Sequence, residues 1–407
     1  MLRHGAERDG QRRDITRTAH PAVGPDVTIG GAGGGSIFGD RGELRLASPG
    51  HHPGGAHRAW ANPHLDDVGT GIEQVTGTLP GPDVAGHHRH IRPAGANRGR
   101  AEHLALMAVR GDTVVQVRGL FVGLATLDLV QRVQRRPEAD EKVVARRTDL
   151  AAGGPAAAAA VTFSALGGHA TLLSALGPGP IGRLVAADLR GAGVHTVDAW
   201  ASGADLSISA ITVLDGTGER SVVSRNAEDL VVAVPADLPA LLPDVNVVLL
   251  DGHYPELAVA AARAAQAAGI PVVLDGGSSK PVYAELVPLA DAMVCSTSFD
   301  GLPDEFDAVA AEALAAGARL VAMTAGGAPV RWRTREASGA IEVPPVTVYD
   351  TLGAGDVLHG AFAFARGQGV TDPERSLGFG VAIAALRVQH IGPRSWLGDP
   401  RLHELGF

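Results

Sequence analysis

The sequence predicts an α/β fold: a mainly parallel central sheet flanked by helices, with a small separate β lid. Three observations carry this. From residue 120 onward, short apolar runs alternate with Ala-rich stretches of helical length, the pattern of strand–helix–strand crossovers. Two strand-like runs joined by Asp215-Gly216-Thr217-Gly218 fall outside that rhythm and read as a hairpin. Near the C-terminus a Gly-rich string opens an apolar helix.

Taken in order, Leu120–Leu124 is a short apolar run and reads as a buried strand. Pro155–Leu166 follows Gly153-Gly154 and reads as a helix with Pro in its first turn. Ala170–Ala175 is a strand, and Ile181–Gly191 a helix that stops at its glycine. Leu206–Leu214 and Ser221–Ser224 are the arms of the hairpin and supply the small sheet. Val245–Leu250 and Val272–Leu274 are strands on either side of the Ala-rich helix Pro255–Ala268. Ala292–Cys295 and Leu320–Thr324 are strands around the helix Asp304–Ala316. Pro345–Tyr349 is an extended run leading into the Gly-rich string, and Ala361–Ala365 continues as helix.

The chain has 407 residues, enough for two or three domains and a substantial core. Residues 1–106 differ from the rest: they hold 10 of the 16 His and 20 of the 54 Gly, with 12 Arg and no Lys. Runs such as 31–35 and 51–55 show no helical or strand period, so this segment reads as a low-complexity, disordered extension. Its His pairs have no second cluster at ligand spacing, and no metal is assigned to them. Met107 is the first Met after Met1, and only two Lys accompany 33 Arg, as in a GC-rich gene. The reading favours a start codon placed too far upstream, with the folded body at 107–407.

Beyond residue 106, acidic residues outnumber basic ones by 33 to 23. Net charge is −9, which disfavours non-specific nucleic-acid binding. No apolar stretch reaches membrane-spanning length. The single cysteine, Cys295, excludes an internal disulfide and fits a reducing cytoplasm.

The most specific segment is Asp350-Thr351-Leu352-Gly353-Ala354-Gly355-Asp356-Val357-Leu358-His359-Gly360. Gly353 and Gly355 let backbone N–H groups approach an anion, and the helix start adds unpaired donors and a positive dipole end. Asp356 stands where a carboxylate takes a proton from an attacking hydroxyl. No Gly-Lys-Ser/Thr occurs, which excludes a P-loop, and no Gly-X-Gly-X-X-Gly follows the first strand, which excludes a dinucleotide fold.

Asp350–Asp356 resembles the Asp-Thr-X-Gly-Ala-Gly-Asp signature of the ribokinase-like (PfkB-type) sugar kinases, and the resemblance runs from about Gly119 to Pro400. It implies a ribokinase-like three-layer sandwich with lid segments near 126–150 and 205–224. It also implies an ATP-dependent sugar kinase using Mg²⁺, with Asp356 as base and the backbone of Gly353, Ala354 and Gly355 as anion hole. On the sugar side it implies Asp128 and the Gly153–Gly154 turn, where Pro155 replaces a usual Asn. On the nucleotide side it implies Thr324, Gly326, Gly327 and Thr351, with the helix Val381–Gln389 and Ile391-Gly392-Pro393 beside the adenine. The usual Asn-X-X-Glu is missing at Ser296–Phe299, where Asp300 comes one position late. That loss and the Gly-Gly-Pro-Ala turn resemble the branch near ketohexokinase and sulfofructose kinase. There Lys142 and His253 would face the substrate, His253 in place of an Arg. Arg225 and Asn226 follow the hairpin without an assigned position. Monovalent-cation activation and a homodimer through the lid are compatible with the resemblance. Two alternatives stand beside this reading: a nucleoside kinase, disfavoured by the lack of aromatics in 129–150 and 205–224, and a catalytically silent sugar-binding protein.

Overall fold

Strands β1 (Arg118–Val122), β4 (His169–Ser174), β10 (Val247–Leu250), β11 (Val272–Gly276), β12 (Ala292–Ser296) and β13 (Leu320–Ala325) are apolar almost throughout. Only a sheet covered on both faces rewards such runs. In the computed structural model, which describes residues 116–297, 299 and 305–406, they form the centre of a nine-stranded sheet. Its order is β15-β14-β13-β12-β11-β10-β1-β4-β5. All neighbours from β13 to β5 (His195–Asp198) pair in parallel. β14 (Ala328–Arg333) and β15 (Ser338–Ile341) add an antiparallel edge. The assignments for residues 1–106, Ser298, Asp300 and Asp304 lie outside the described residues.

Strand alternation splits the core in two. Phe121, Leu172, Leu249 and Val273 pack with helices α1 (Pro155–Ala165), α2 (Pro180–Gly191), α6 (Ala354–Gly367) and α7 (Pro373–Arg387). Leu120, Leu173, Leu250 and Leu274 pack with α3 (Pro255–Ala267), the short α4 (Tyr283–Leu286) and α5 (Phe306–Ala316). The alternation predicted the parallel sheet with its crossover helices, and the resemblance implied these three layers.

A separate four-stranded sheet has the order β3-β2-β7-β8. The predicted hairpin supplies β7 (Ile208–Leu214) and β8 (Arg220–Val223). Its other half, β2 (Thr126–Val133) and β3 (Arg147–Gly153), falls in and just beyond the lid segment near 126–150 that the resemblance implies, where periodicity alone marks no strand. Asp128, Gln131 and Arg132 break the apolar alternation of β2, and β3 begins Arg-Thr-Asp. These strands are specified by their partners: β2 pairs β7 in parallel and β3 antiparallel. A two-stranded ribbon of β6 (Trp200–Gly203) and β9 (Leu230–Val232) completes the β structure. The extended run Pro345–Tyr349 joins no sheet; Pro344 and Pro345 have no N–H to give a ladder.

Gly154 precedes α1 with φ +90, and a Cβ there would fall on the carbonyl oxygen of Leu124. Gly154→Ala is therefore expected to cost about 2 kcal/mol or more of unfolding free energy, read as a lower urea midpoint at unchanged m. An unchanged midpoint would show that the turn relaxes freely.

Candidate active site

The Gly-rich string lies between the main sheet's helices and the small sheet. Gly353 takes φ +71 and caps α6, so Asp356 falls in the first helical turn. The first amide to close the helix is that of Val357, which donates to Gly353 O at 2.9 Å. The amides of Gly355 and Asp356 precede it and have no intrahelical acceptor. Gly355 is exposed, and a Cβ there would meet no other atom within 4 Å. An anion can therefore approach these donors along the helix axis, where the dipole also favours it.

Behind the turn lies the fully buried Asp350 carboxylate. It accepts from Leu352 N and Gly392 N, each at 2.9 Å. The equally buried Arg387 lies 3.6 Å away and donates to His390 O at 2.9 Å. In front of the turn, the β7–β8 hairpin is fastened to it. Gly218 O accepts from both Thr351 N (3.2 Å) and Thr351 Oγ1 (2.8 Å). Arg132, held by Asp215, donates to Tyr349 O at 2.9 Å.

A narrow cleft of about 50 Å³ brings together Asp128, Gly153, Gly154, Gly353 and Asp356. Asp128 projects from β2 and accepts from Thr126 Oγ1 at 2.7 Å. Burial raises its carboxyl above the usual range, against the pull of Thr126, Ser209 and Arg394. A Cβ on Gly153 would fall on that carboxylate, so only glycine lets the turn close over Asp128. Loss of water, then the neighbouring Asp275, push the Asp356 carboxyl up to about 7; His359 and Arg220 pull the other way. The cleft thus holds one carboxylate suited to binding hydroxyls and one suited to taking a proton near neutral pH.

The sequence passed over several charged residues here. Asp275 ends β11, and His359 lies one helical turn after Asp356; with Asp356 their polar atoms lie within 4.8 Å of one another. His359 faces Asp275 at 3.1 Å and Val294 O at 2.9 Å. Burial alone would lower His359, but Asp275 and the Val294 carbonyl hold it up at about 9. A resident metal would have to displace this contact, so the cluster does not fit one. Arg394 lines the cleft and donates to Ala152 O at 2.7 Å and Asp188 at 2.9 Å. Asp251, at the end of β10, accepts from Leu124, Ala156 and His253 amides. Burial would raise Asp251, yet His253 and these donors hold it below its ordinary value. The signal for both strand-end acids was their place at the C-terminal ends of parallel strands, where α/β sheets gather ligands.

Other assigned residues lie elsewhere. Lys142 is exposed on the connection between β2 and β3 and does not line the cleft. His253 turns its ring to Asp251 at 3.1 Å. Thr324 ends β13, and Gly326 (φ +63) and Gly327 make the tight turn into β14. Arg225 bonds Asp205 O, and Asn226 takes φ +54 with its amide on Ser224.

Comparison with known proteins shows the family of the chain. The profile described as pfkB family carbohydrate kinase matches residues 119–398. The chain is similar to a ribokinase of Bacillus subtilis, 27% identical over 297 residues that cover 70% of this chain and 96% of the relative. It is similar to an ATP-dependent ribose-1-phosphate kinase of Halopiger xanaduensis, 29% identical over 288 residues, 69% of this chain and 94% of the relative. The structure of Arabidopsis thaliana ribokinase with ribose and ATP superposes with a TM-score of 0.57 at 23% identity, covering 72% of this chain and 99% of that one. At that identity the likeness is one of fold.

The Asp350–Arg387 pair yields a test. Arg387→Met leaves a buried carboxylate without its counter-charge, and should cost about 3–5 kcal/mol of stability in urea unfolding. The double variant Arg387→Met/Asp350→Asn should recover part of that loss. Equal losses in single and double variants would show that the two groups do not act as a pair.

Proposed function

The chain belongs to the pfkB family of carbohydrate kinases, and on that footing we propose that it phosphorylates a small ketose-like sugar with ATP, using Asp356 as general base. The family implies use of ATP with Mg²⁺. The observation that carries the reading is the pairing of Asp128 and Asp356 across one cleft, with the open amides of the α6 N-terminus beside Asp356. Asp128 accepts hydrogen bonds from adjacent sugar hydroxyls, and the Gly153–Gly154 turn closes over them. A third hydroxyl then lies against Asp356, which removes its proton as the oxygen attacks the γ-phosphate. The amides of Gly355 and Asp356 receive the charge on the transferring phosphoryl group, while that of Ala354 donates to Thr351 O at 3.3 Å.

Mg²⁺ enters as the partner of the nucleotide phosphates and shields their charge. The nucleotide would lie toward the C-terminal ends of β12 and β13, near the Gly326–Gly327 turn and Thr324, whose Oγ1 donates to Cys295 O at 3.4 Å. The ketose assignment, near ketohexokinase and sulfofructose kinase, rests on Gly153-Gly154-Pro155-Ala156. Ribose belongs in the test beside ketoses and sulfosugars, since the similar proteins above are named for it.

One face of the small sheet supports a homodimer. Leu150, Ile208, Ala210 and Val223 are exposed, and register places them on the same side, away from Asp128. A second copy presenting the same apolar face would cover it.

ATP turnover should depend on one class of sugar in the panel and fall by about 10³-fold or more in Asp356→Asn, if the base and its charge are both lost. Because Asp356 must be ionised to accept the proton, kcat/KM should rise through about pH 7. Sugar-dependent turnover unchanged in Asp356→Asn would overturn the base assignment. For the dimer, sedimentation should show two copies in the native protein and one in Leu150→Lys/Val223→Lys; a monomeric native protein would refute it.

A further inference from the structure

The mechanism above leaves one carboxylate beside Asp356 unused. Asp275 has a side chain 2% exposed, and one of its oxygens accepts from Gly277 N at 3.0 Å. The other faces His359 Nδ1 at 3.1 Å, while His359 Nε2 lies 2.9 Å from the carbonyl oxygen of Val294. A carbonyl oxygen only accepts, so Nε2 carries a hydrogen; a carboxylate at Nδ1 favours a second one there. The ring is thus placed to be an imidazolium. Helix geometry supplies the arrangement, since residues three apart share a face and His359 follows Asp356 by three.

We infer that His359 is a positioning residue whose imidazolium keeps Asp275 as a paired anion, leaving Asp356 as the one carboxylate of the cluster that exchanges a proton with the acceptor hydroxyl. Without the imidazolium, Asp275 and Asp356 would share the site as two anions, and one of them would hold a proton. This inference rests on Asp356 being the base. The electrostatics agree with it: Asp275 raises Asp356, and His359 opposes that effect.

Other charges face the cluster from every side. Arg220 of β8 lowers Asp356 and Asp128 of β2 raises it. Lys280, after β11, feels both Asp251 and Asp275. Tyr283 of α4 donates from its hydroxyl to the carbonyls of Asp251 and Asp275. Cys295 of β12 has its thiol pushed up by burial to about 12 and stays neutral. Among the described residues, the polar groups facing the His359 ring nitrogens are Asp275 and the Val294 carbonyl.

The test is the pH profile of kcat/KM in full-length protein, with the sugar and MgATP found to support turnover. His359→Gln keeps a donor for Val294 and removes the charge. Its acidic limb should move up by about one pH unit, a roughly tenfold loss at pH 6 that disappears well above the limb, with KM for both substrates within about twofold. The double variant His359→Gln/Asp275→Asn removes anion and cation together and should return the limb to near its native position. A loss of kcat that is equal at every pH, with the limb unmoved, would mean that His359 only packs, and the inference fails. Should His359→Gln not fold, ¹H–¹⁵N correlation of the native imidazole decides the matter. A doubly protonated ring at pH 8 supports the inference, and a neutral ring overturns it. Asp356→Asn is the separating control: if that variant keeps its turnover, the fault lies in the base assignment rather than in His359.

Discussion

The Asp350 carboxylate is the fixed point of the site. It is buried beside Arg387 and accepts two backbone amides that are 40 residues apart in sequence, Leu352 and Gly392. One bond fixes the entry to the Gly353 turn and the other fixes the loop that follows α7. A buried carboxylate is costly unless its lone pairs are matched, and here each oxygen has an amide and one faces a guanidinium. The turn can then present Gly353 in the left-handed region and aim the first amides of α6 outward. Preorganisation of that kind is what anion stabilisation requires, since donors that must reorient during reaction lose much of their effect.

The small sheet is tied to the same turn from the other side. Gly218 O takes two hydrogen bonds from Thr351, Arg132 reaches Tyr349 O, and Arg220 reaches Thr351 O at 3.4 Å. A Cβ on Gly218 would press on the backbone of Tyr349 and Asp350. Asp128, which binds the sugar in the proposed mechanism, stands on β2 of the same sheet, next to β7. Asp128 and the hairpin that docks on the turn are therefore carried by one sheet. A sheet that settles only when Asp128 has its ligand would exclude water just when the base and the phosphate are brought together.

The sequence made the central sheet legible because buried parallel strands must be apolar on both faces, and runs such as Val247–Leu250 have no other use. The hairpin was legible from its Asp-Gly-Thr-Gly turn. β2 and β3 were not legible from periodicity, because polar residues interrupt it: Asp128 lines the cleft, Arg132 pairs with Asp215, 83 positions away, and Asp149 pairs with its near neighbour Arg147. The catalytic string was read through its glycines and Asp356, and the structure joins it to Asp128 and Gly153–Gly154 in one cleft. His359 stood inside that string, yet its role depended on Asp275, 84 positions earlier. Only the fold brings a strand end and a helix face together. Arg387 was invisible for the same reason: an arginine in an Ala- and Leu-containing helix reads as a solvated residue until its carboxylate is found.

The charges of the cluster also account for why a carboxylate can act as base toward an alcohol. Asp356 is surrounded by Asp275 and, farther off, Asp128, with His359 and Arg220 opposing them. Loss of water leaves it a stronger base than a solvated aspartate, yet one still ionised in part at neutral pH. The approach of a nucleotide phosphate adds further negative charge and strengthens its hold on a proton. The attacking oxygen meanwhile becomes more acidic as it bonds to phosphorus. Proton affinity therefore rises on Asp356 and falls on the alcohol along the same coordinate. In the proposed mechanism, the burden of holding the nucleotide against this local negative charge would fall on the α6 N-terminus and on magnesium carried by the phosphates. On the inference drawn above, the imidazolium of His359 would limit that burden, because it pairs one of the carboxylates whose field the phosphate would meet.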